Sequence, residues 1–239
     1  ICFAAPIAAL AIMEKRGTSD RQLAAALAML FAMGQGNVFY PLIPFGLHWG
    51  SAIGISIVGG LIAAAVTYHL FGKKLSMTVR REEVTESLND KSSASLIAII
   101  NGAGADAIRL ALGSLPMLLL SLTIVGILKE AGFITLLTTL LAPVLTFFSI
   151  PEIYVLPTLT KFLAGGTAYF GIISELLRKG LVTPEQVNAS AGFLIQTFDL
   201  PGVGIFLGIA SRFVRLFRYV IPGVITGIAL RTLIHALLY

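Results

Sequence analysis

The chain has 239 residues, of which 56% are hydrophobic and 12% charged, and its formal net charge is +5. A soluble globular domain carries about 25% charged residues, so this composition excludes a water-soluble body and fits the mean hydropathy of +0.91. The basic residues sit between apolar runs, which reads as membrane topology rather than a nucleic-acid surface.

Apolar runs of about 20 residues are candidate spans, because a hydrocarbon core of about 30 Å needs that much helix. Residues 1–13 form the end of one run. The chain opens on Ile1 inside that run, without the basic region or cleavage site of a signal peptide, so the expectation is that an upstream segment is missing. The single cysteine, Cys2, excludes an internal disulfide and a cysteine-based metal site. A polar loop, residues 14–21, precedes a second run at 22–45, interrupted at Gly34-Gln35-Gly36-Asn37 and by Pro41 and Pro44. Residues 50–72 are a clean third run. Residues 73–92 are the most polar stretch and read as a cytoplasmic linker.

Residues 93–112 place Leu96, Ile100, Ala103, Ala107 and Leu110 on one helical face, with Asn101, Asp106 and Arg109 off it. That pattern reads as an amphipathic helix at the membrane surface, another full span being the alternative. Runs at 114–129 and 132–150 follow, the second either a span or a re-entrant segment. Residues 152–177 are broken near Lys161 and at Gly165-Gly166-Thr167. Thr183-Pro184-Glu185 reads as a helix start, with Thr as N-cap and Pro at the first position. Residues 186–211 are broken at 196–202. Arg212, Arg215 and Arg218 mark a loop or interface before a last span at 220–239.

A faint repeat runs through this order. A basic-Gly pair, a Thr, an acid and then a broken helix occur at 16–37 and again at 179–201. Five crossings after residue 72 make the two copies inverted. Lys15, Arg16, Arg21, Lys73, Lys74, Arg80, Arg81, Lys91, Arg109, Arg212, Arg215 and Arg218 then share one side. Lys129, Arg178, Lys179 and Arg231 take the other, twelve against four of the 17 basic residues. The positive-inside rule makes the richer side cytoplasmic.

In lipid, a broken helix survives only where it is buried in protein or lines a wet cavity. The three breaks, at 34–37, 165–167 and 196–202, are therefore candidate solute contacts; the plainer reading is that Gly and Pro merely allow close packing. Lys161 lies ten residues into an apolar run, where a charge is costly and functional by default. Depth points to Asp199 as its partner, against the alternatives of snorkelling or a purely structural ion pair. Gln35, Asn37, Thr167 and Gln196 could hydrogen-bond a polar solute or a neighbouring helix. Tyr40, Trp49, Tyr68, Tyr219 and Tyr239, near run ends, read as interface anchors. His48, His69 and His235 have no metal spacing. Arg231 is left between snorkelling and an acid such as Glu175. No nucleotide, hydrolase or metalloprotease motif is present, so no enzyme activity, cofactor or metal is expected.

One stretch carries a family resemblance: Leu115-Pro116, Lys129-Glu130-Ala131-Gly132-Phe133, Ala142-Pro143, Ile150-Pro151-Glu152, Lys161, Gly165-Gly166-Thr167 and Ile172-Ile173-Ser174-Glu175. It resembles the nucleoside-recognition (Gate) domain family, which includes spore maturation proteins A and B and the YjiH/YjiG-type bacterial inner-membrane proteins. The resemblance is best over 93–239, one Gate-like repeat, with 1–72 as the tail of a preceding one. It implies a two-repeat inner-membrane protein, with Gly165-Gly166-Thr167 as the family's glycine-rich turn; a lysine at 161 is not a hallmark of that turn.

The expectation is thus an all-α integral membrane protein, a polytopic helical bundle with interrupted helices and an inverted repeat, in a bacterial inner membrane. Its expected function is secondary transport of a small polar or anionic solute, nucleoside-like compounds included. Lys161, Gly165, Gly166, Thr167, Gln196, Asp199, Gln35 and Asn37 are the candidate binding residues. Expected partners are the bilayer, the solute, a coupling ion and a second copy in a homodimer. The alternative is a non-transporting assembly scaffold of the spore-maturation type; a polar wet cavity favours transport and a dry packed interior favours the scaffold.

Overall fold

The computed structural model describes residues 4–79 and 151–239, with isolated positions between them. The amphipathic stretch 93–112, most of the linker, the runs at 114–129 and 132–150, and the first part of the family resemblance fall outside the described residues.

The described residues are helical, with no strand. In chain order they form α1 (Ala4–Lys15), α2 (Asp20–Ala32), α3 (Gly36–Leu42), α4 (Trp49–His69), α5 (Val155–Ala164), α6 (Gly166–Arg178), α7 (Pro184–Leu194), α8 (Leu200–Leu207) and α9 (Ser211–Leu238). Local chemistry sets the starts. The Ser19 hydroxyl accepts the Gln22 N–H and caps α2. Thr183 and Gln186 form a reciprocal capping box on α7, with Pro184 in its first turn, the arrangement that satisfies orphan N–H groups. Among the described residues three segments are long and apolar enough to cross a membrane: Asp20–Phe45, Trp49–Lys74 and Ser211–Leu238.

The last span differs from its expected limits. Arg212, Arg215 and Arg218 are not in a loop before residue 220 but in the first turns of a 28-residue helix. Pro222 lies inside that helix, and the Thr226 hydroxyl donates to the Pro222 carbonyl at 2.8 Å.

Helix α2 packs between α4 and α9, and α4 against α9 is the most extensive helix contact. Small residues permit it. A Cβ on Gly227 would lie 2.5 Å from the Gly59 carbonyl oxygen, and one on Gly223 2.0 Å from the Thr67 hydroxyl. Lipid tails are as apolar as side chains, so helices associate in a bilayer through such close packing rather than hydrophobic transfer. The outward faces carry exposed Ile57, Val58 and Leu61 on α4 and Ile225, Leu233 and Leu237 on α9.

Two apolar clusters fill the interior. One joins Leu23, Leu27 and Phe31 of α2 to Phe206 of α8 and Phe213, Val220 and Val224 of α9. Phe31 meets the rings of Phe198, Phe206 and Phe217 edge to face. The other joins Val38, Phe39 and Leu42 of α3 to Tyr169 and Ile173 of α6 and Ala191 and Leu194 of α7. The break between α2 and α3 therefore falls at the boundary between the clusters, where a polar layer is held between two apolar ones.

Candidate functional site

Helix α2 stops at Ala32 and α3 starts at Gly36; α7 stops at Leu194 and α8 starts at Leu200. The two breaks are fastened to each other. The Thr197 N–H donates to the Phe31 carbonyl at 3.1 Å, and the Thr197 hydroxyl donates to the Met33 carbonyl at 3.0 Å. Backbone groups freed by one interruption are thus used by the other, as burial away from water requires.

Asp199 is the centre of this layer. Its Oδ1 accepts the Gly202 N–H at 2.8 Å, capping α8. Its Oδ2 accepts the Gln35 amide at 2.8 Å and the Lys161 ammonium, with neither side chain of that ion pair exposed. Lys161 comes from the last turn of α5, where a cation also suits the negative end of the helix dipole.

The third break brings the turn between α5 and α6 onto the same place. Gly165 has φ of +86°, a conformation open to glycine and strained for other residues. A Cβ on Gly166 would fall 1.8 Å from Gln35 Oε1, so that approach requires glycine. Lys161, Gly165, Gly166, Gln35 and Asp199 are therefore brought together by all three interruptions. Asn37 and Thr167 bond to each other at 2.9 Å at the edge of this group. Gln196 is buried, and its Oε1 accepts the Phe198 N–H within its own turn; among the described residues its Nε2 has no partner.

Arg231 departs from both options left open for it. It does not snorkel, and among the described residues it meets no acid. Fully buried on α9, it donates to the carbonyls of Ala32 at 2.5 Å and Ile195 at 2.7 Å. These carbonyls end α2 and α7, so one guanidinium neutralises the negative ends of both interrupted helices. Asp199 does the converse at the start of α8.

A cleft of about 240 Å³ adjoins this layer. Its polar lining is Gln35, Asn37, Ser56 and Thr197, and Met33, Phe39 and Tyr40 are among its apolar walls. Lys161, Gln196 and Asp199 are not on its surface; Gln35 reaches both the cleft and Asp199. The candidate residues thus divide into a cleft-lining set and a sealed set behind it.

Sequence reasoning missed Ser56, which accepts the Gly34 N–H at 2.6 Å and holds the α2–α3 break against α4; one serine in an apolar run gave no signal. It also missed Asn188, which accepts the His48 N–H and donates to the Gly46 and Pro184 carbonyls, fixing the turn before α4. Among the described residues no group of three or more His, Cys, Asp or Glu could hold a metal. No family model, curated protein or solved structure matches the chain.

Proposed function

We propose that the protein is a multi-pass permease of a bacterial inner membrane that carries a small polar solute through the cleft at the crossing of its broken helices. The observation that carries this reading is the pair of facing breaks at 33–35 and 195–199, bonded to each other beside a cleft with amide and hydroxyl lining. Interrupted helices at mid-membrane depth are the usual way transporters present backbone groups and half-helix ends to a solute. In this reading Gln35, Asn37, Ser56 and Thr197 meet the solute. Lys161 and Asp199 act one step back, fixing the Gln35 amide.

The same order of features, a broken helix pair and then an uninterrupted helix, occurs in α2–α3–α4 and in α7–α8–α9. It supports an inverted repeat of two Gate-like halves, and the resemblance to the Gate family adds nucleoside-like compounds as the first class to test. A scaffold calls for a dry interior; the amide and hydroxyl groups on an otherwise largely apolar cleft wall are what favour the permease reading.

The test is a thermal-shift screen of the purified protein against nucleosides and small organic anions, followed by uptake into proteoliposomes. A stabilising solute that is taken up by wild type and not by Asn37→Ala supports the permease. Uptake of no compound, with Asn37→Ala and wild type indistinguishable throughout, overturns it.

A further inference from the structure

A second cleft, of about 170 Å³, lies far along α9 from the broken helices and is lined by Leu75, Leu216, Tyr219 and Arg212, Arg215 and Arg218. We propose that it binds the phosphate head group of an anionic bilayer lipid.

Helix length places it. At 1.5 Å per residue, 28 residues span about 42 Å, about 12 Å more than the hydrocarbon core. The C-terminal end of α9 is apolar, with Leu233, Leu237 and Leu238 exposed. The excess therefore falls at the other end, the first two turns, where the arginines stand.

Charge singles out the ligand. Among the described residues the acids at hand are Asp20, on the cleft wall, and Glu14, and both are used by Arg212: Nε meets Asp20 at 2.6 Å and Nη1 meets Glu14 at 3.0 Å. Arg215 makes no ion pair among the described residues. Among the described residues Arg218 donates to the Tyr219 hydroxyl, at 2.9 Å. Two exposed guanidiniums thus face a cleft whose described carboxylates are already committed. Guanidinium and phosphate form paired, charge-assisted hydrogen bonds.

The outer face of α9 favours a lipid over a free anion. Val214, Arg218 and Ile225 follow at spacings of four and seven and share one helix face, and Val214 and Ile225 are exposed. A head group at Arg218 would lay its acyl chains along Ile225, whereas inorganic phosphate would use none of that surface. Basic pockets at the cytoplasmic ends of spans are suited to such head groups.

The test uses delipidated full-length protein in neutral detergent, with phosphatidylglycerol, phosphatidylcholine and inorganic phosphate as probes. Melting temperature and bound lipid by native mass spectrometry are read. Phosphatidylglycerol is expected to bind and to raise the melting temperature, with the other two probes giving little. Arg215→Gln with Arg218→Gln is expected to weaken binding about thirtyfold, the loss of two juxtamembrane charges. Lys73→Gln with Lys74→Gln, an equal charge loss outside the cleft, is expected to weaken it clearly less, because those lysines add screened long-range attraction without touching the phosphate. Equal binding by both double variants, an equal effect of inorganic phosphate, or no phosphatidylglycerol bound to wild type would each overturn the proposal. Should the arginine double variant not fold, Arg215→Lys with Arg218→Lys keeps the charge and loses the fork; weaker binding supports the site and unchanged binding overturns it.

Discussion

Arg212 and Arg231 stand on the same helix, about 28 Å apart along its axis at 1.5 Å per residue, and solve the same problem differently. Both are buried. Arg212 has two carboxylates, each more than a quarter exposed, and the Thr18 carbonyl at 2.6 Å. Among the described residues Arg231 has two backbone carbonyls, both at helix ends. Near the interface, a charge is matched by counter-charges that water also serves. In the interior it is matched by the dipoles of interrupted helices, and among the described residues the carboxylate of that layer, Asp199, is held by Lys161. Removing a partner should therefore cost much more in the interior than at the interface.

The largest effect is expected for Asp199→Ala. It strands the Lys161 ammonium, at about 3–5 kcal/mol for a broken buried pair, and removes the α8 cap, about 1 kcal/mol more. Thermal unfolding in detergent reads the loss. Asp199→Asn combined with Lys161→Met removes both charges and should recover most of it, since an apolar replacement of a buried pair is often neutral. Double and single variants equally unstable would show that the pair is not the source of the loss.

Arg231→Met comes next. It orphans the Ala32 and Ile195 carbonyls, at about 1–3 kcal/mol each, and hydrogen exchange should rise first at the ends of α2 and α7. A loss confined to the α4–α9 contact would instead assign Arg231 a packing role. Arg212→Gln should cost only about 1 kcal/mol, with the difference from wild type shrinking in high salt. A salt-independent loss as large as that of Arg231→Met would erase the contrast between the two regions.

Glu185, exposed in the first turn of α7, should show the smallest effect. A hydrogen bond to its own backbone N–H, and then one from Thr183, hold its carboxyl below the ordinary value. A depressed pKa contributes stability above the ordinary carboxylate range and loses it as pH falls through the folded value. Glu185→Gln should therefore match wild type in acid and differ slightly near neutral pH; the reverse order would refute that sign.

Much of this contrast was legible in the sequence, and the reasons are local. Gly34–Asn37, Gly165–Thr167 and 196–202 announce breaks because Gly, Pro and polar residues interrupt apolar runs. Lys161 and Asp199 were paired by depth alone, and they do meet. The Thr183-Pro184 start was readable because capping needs only neighbouring residues. The use of Arg231 was not legible, because its acceptors are carbonyls from two helices distant in the chain, and every residue has a carbonyl. Ser56 was hidden for the same reason: its partner is a backbone N–H. The start of α9 at Ser211 was misplaced because charges near a span end look alike in a loop and in a helix that extends past the hydrocarbon.

The most direct measurement concerns whether water reaches the cleft between the breaks. In a Cys2→Ser background, Asn37→Cys lies at the cleft and Leu61→Cys on the exposed apolar face of α4. Both are treated in native membranes with a small hydrophilic thiol reagent. A wet polar cleft gives rapid modification of Asn37→Cys and little of Leu61→Cys, with the former slowed by a transported solute. Equal resistance of both variants would mean a dry interior and would contradict a solute path through the broken helices.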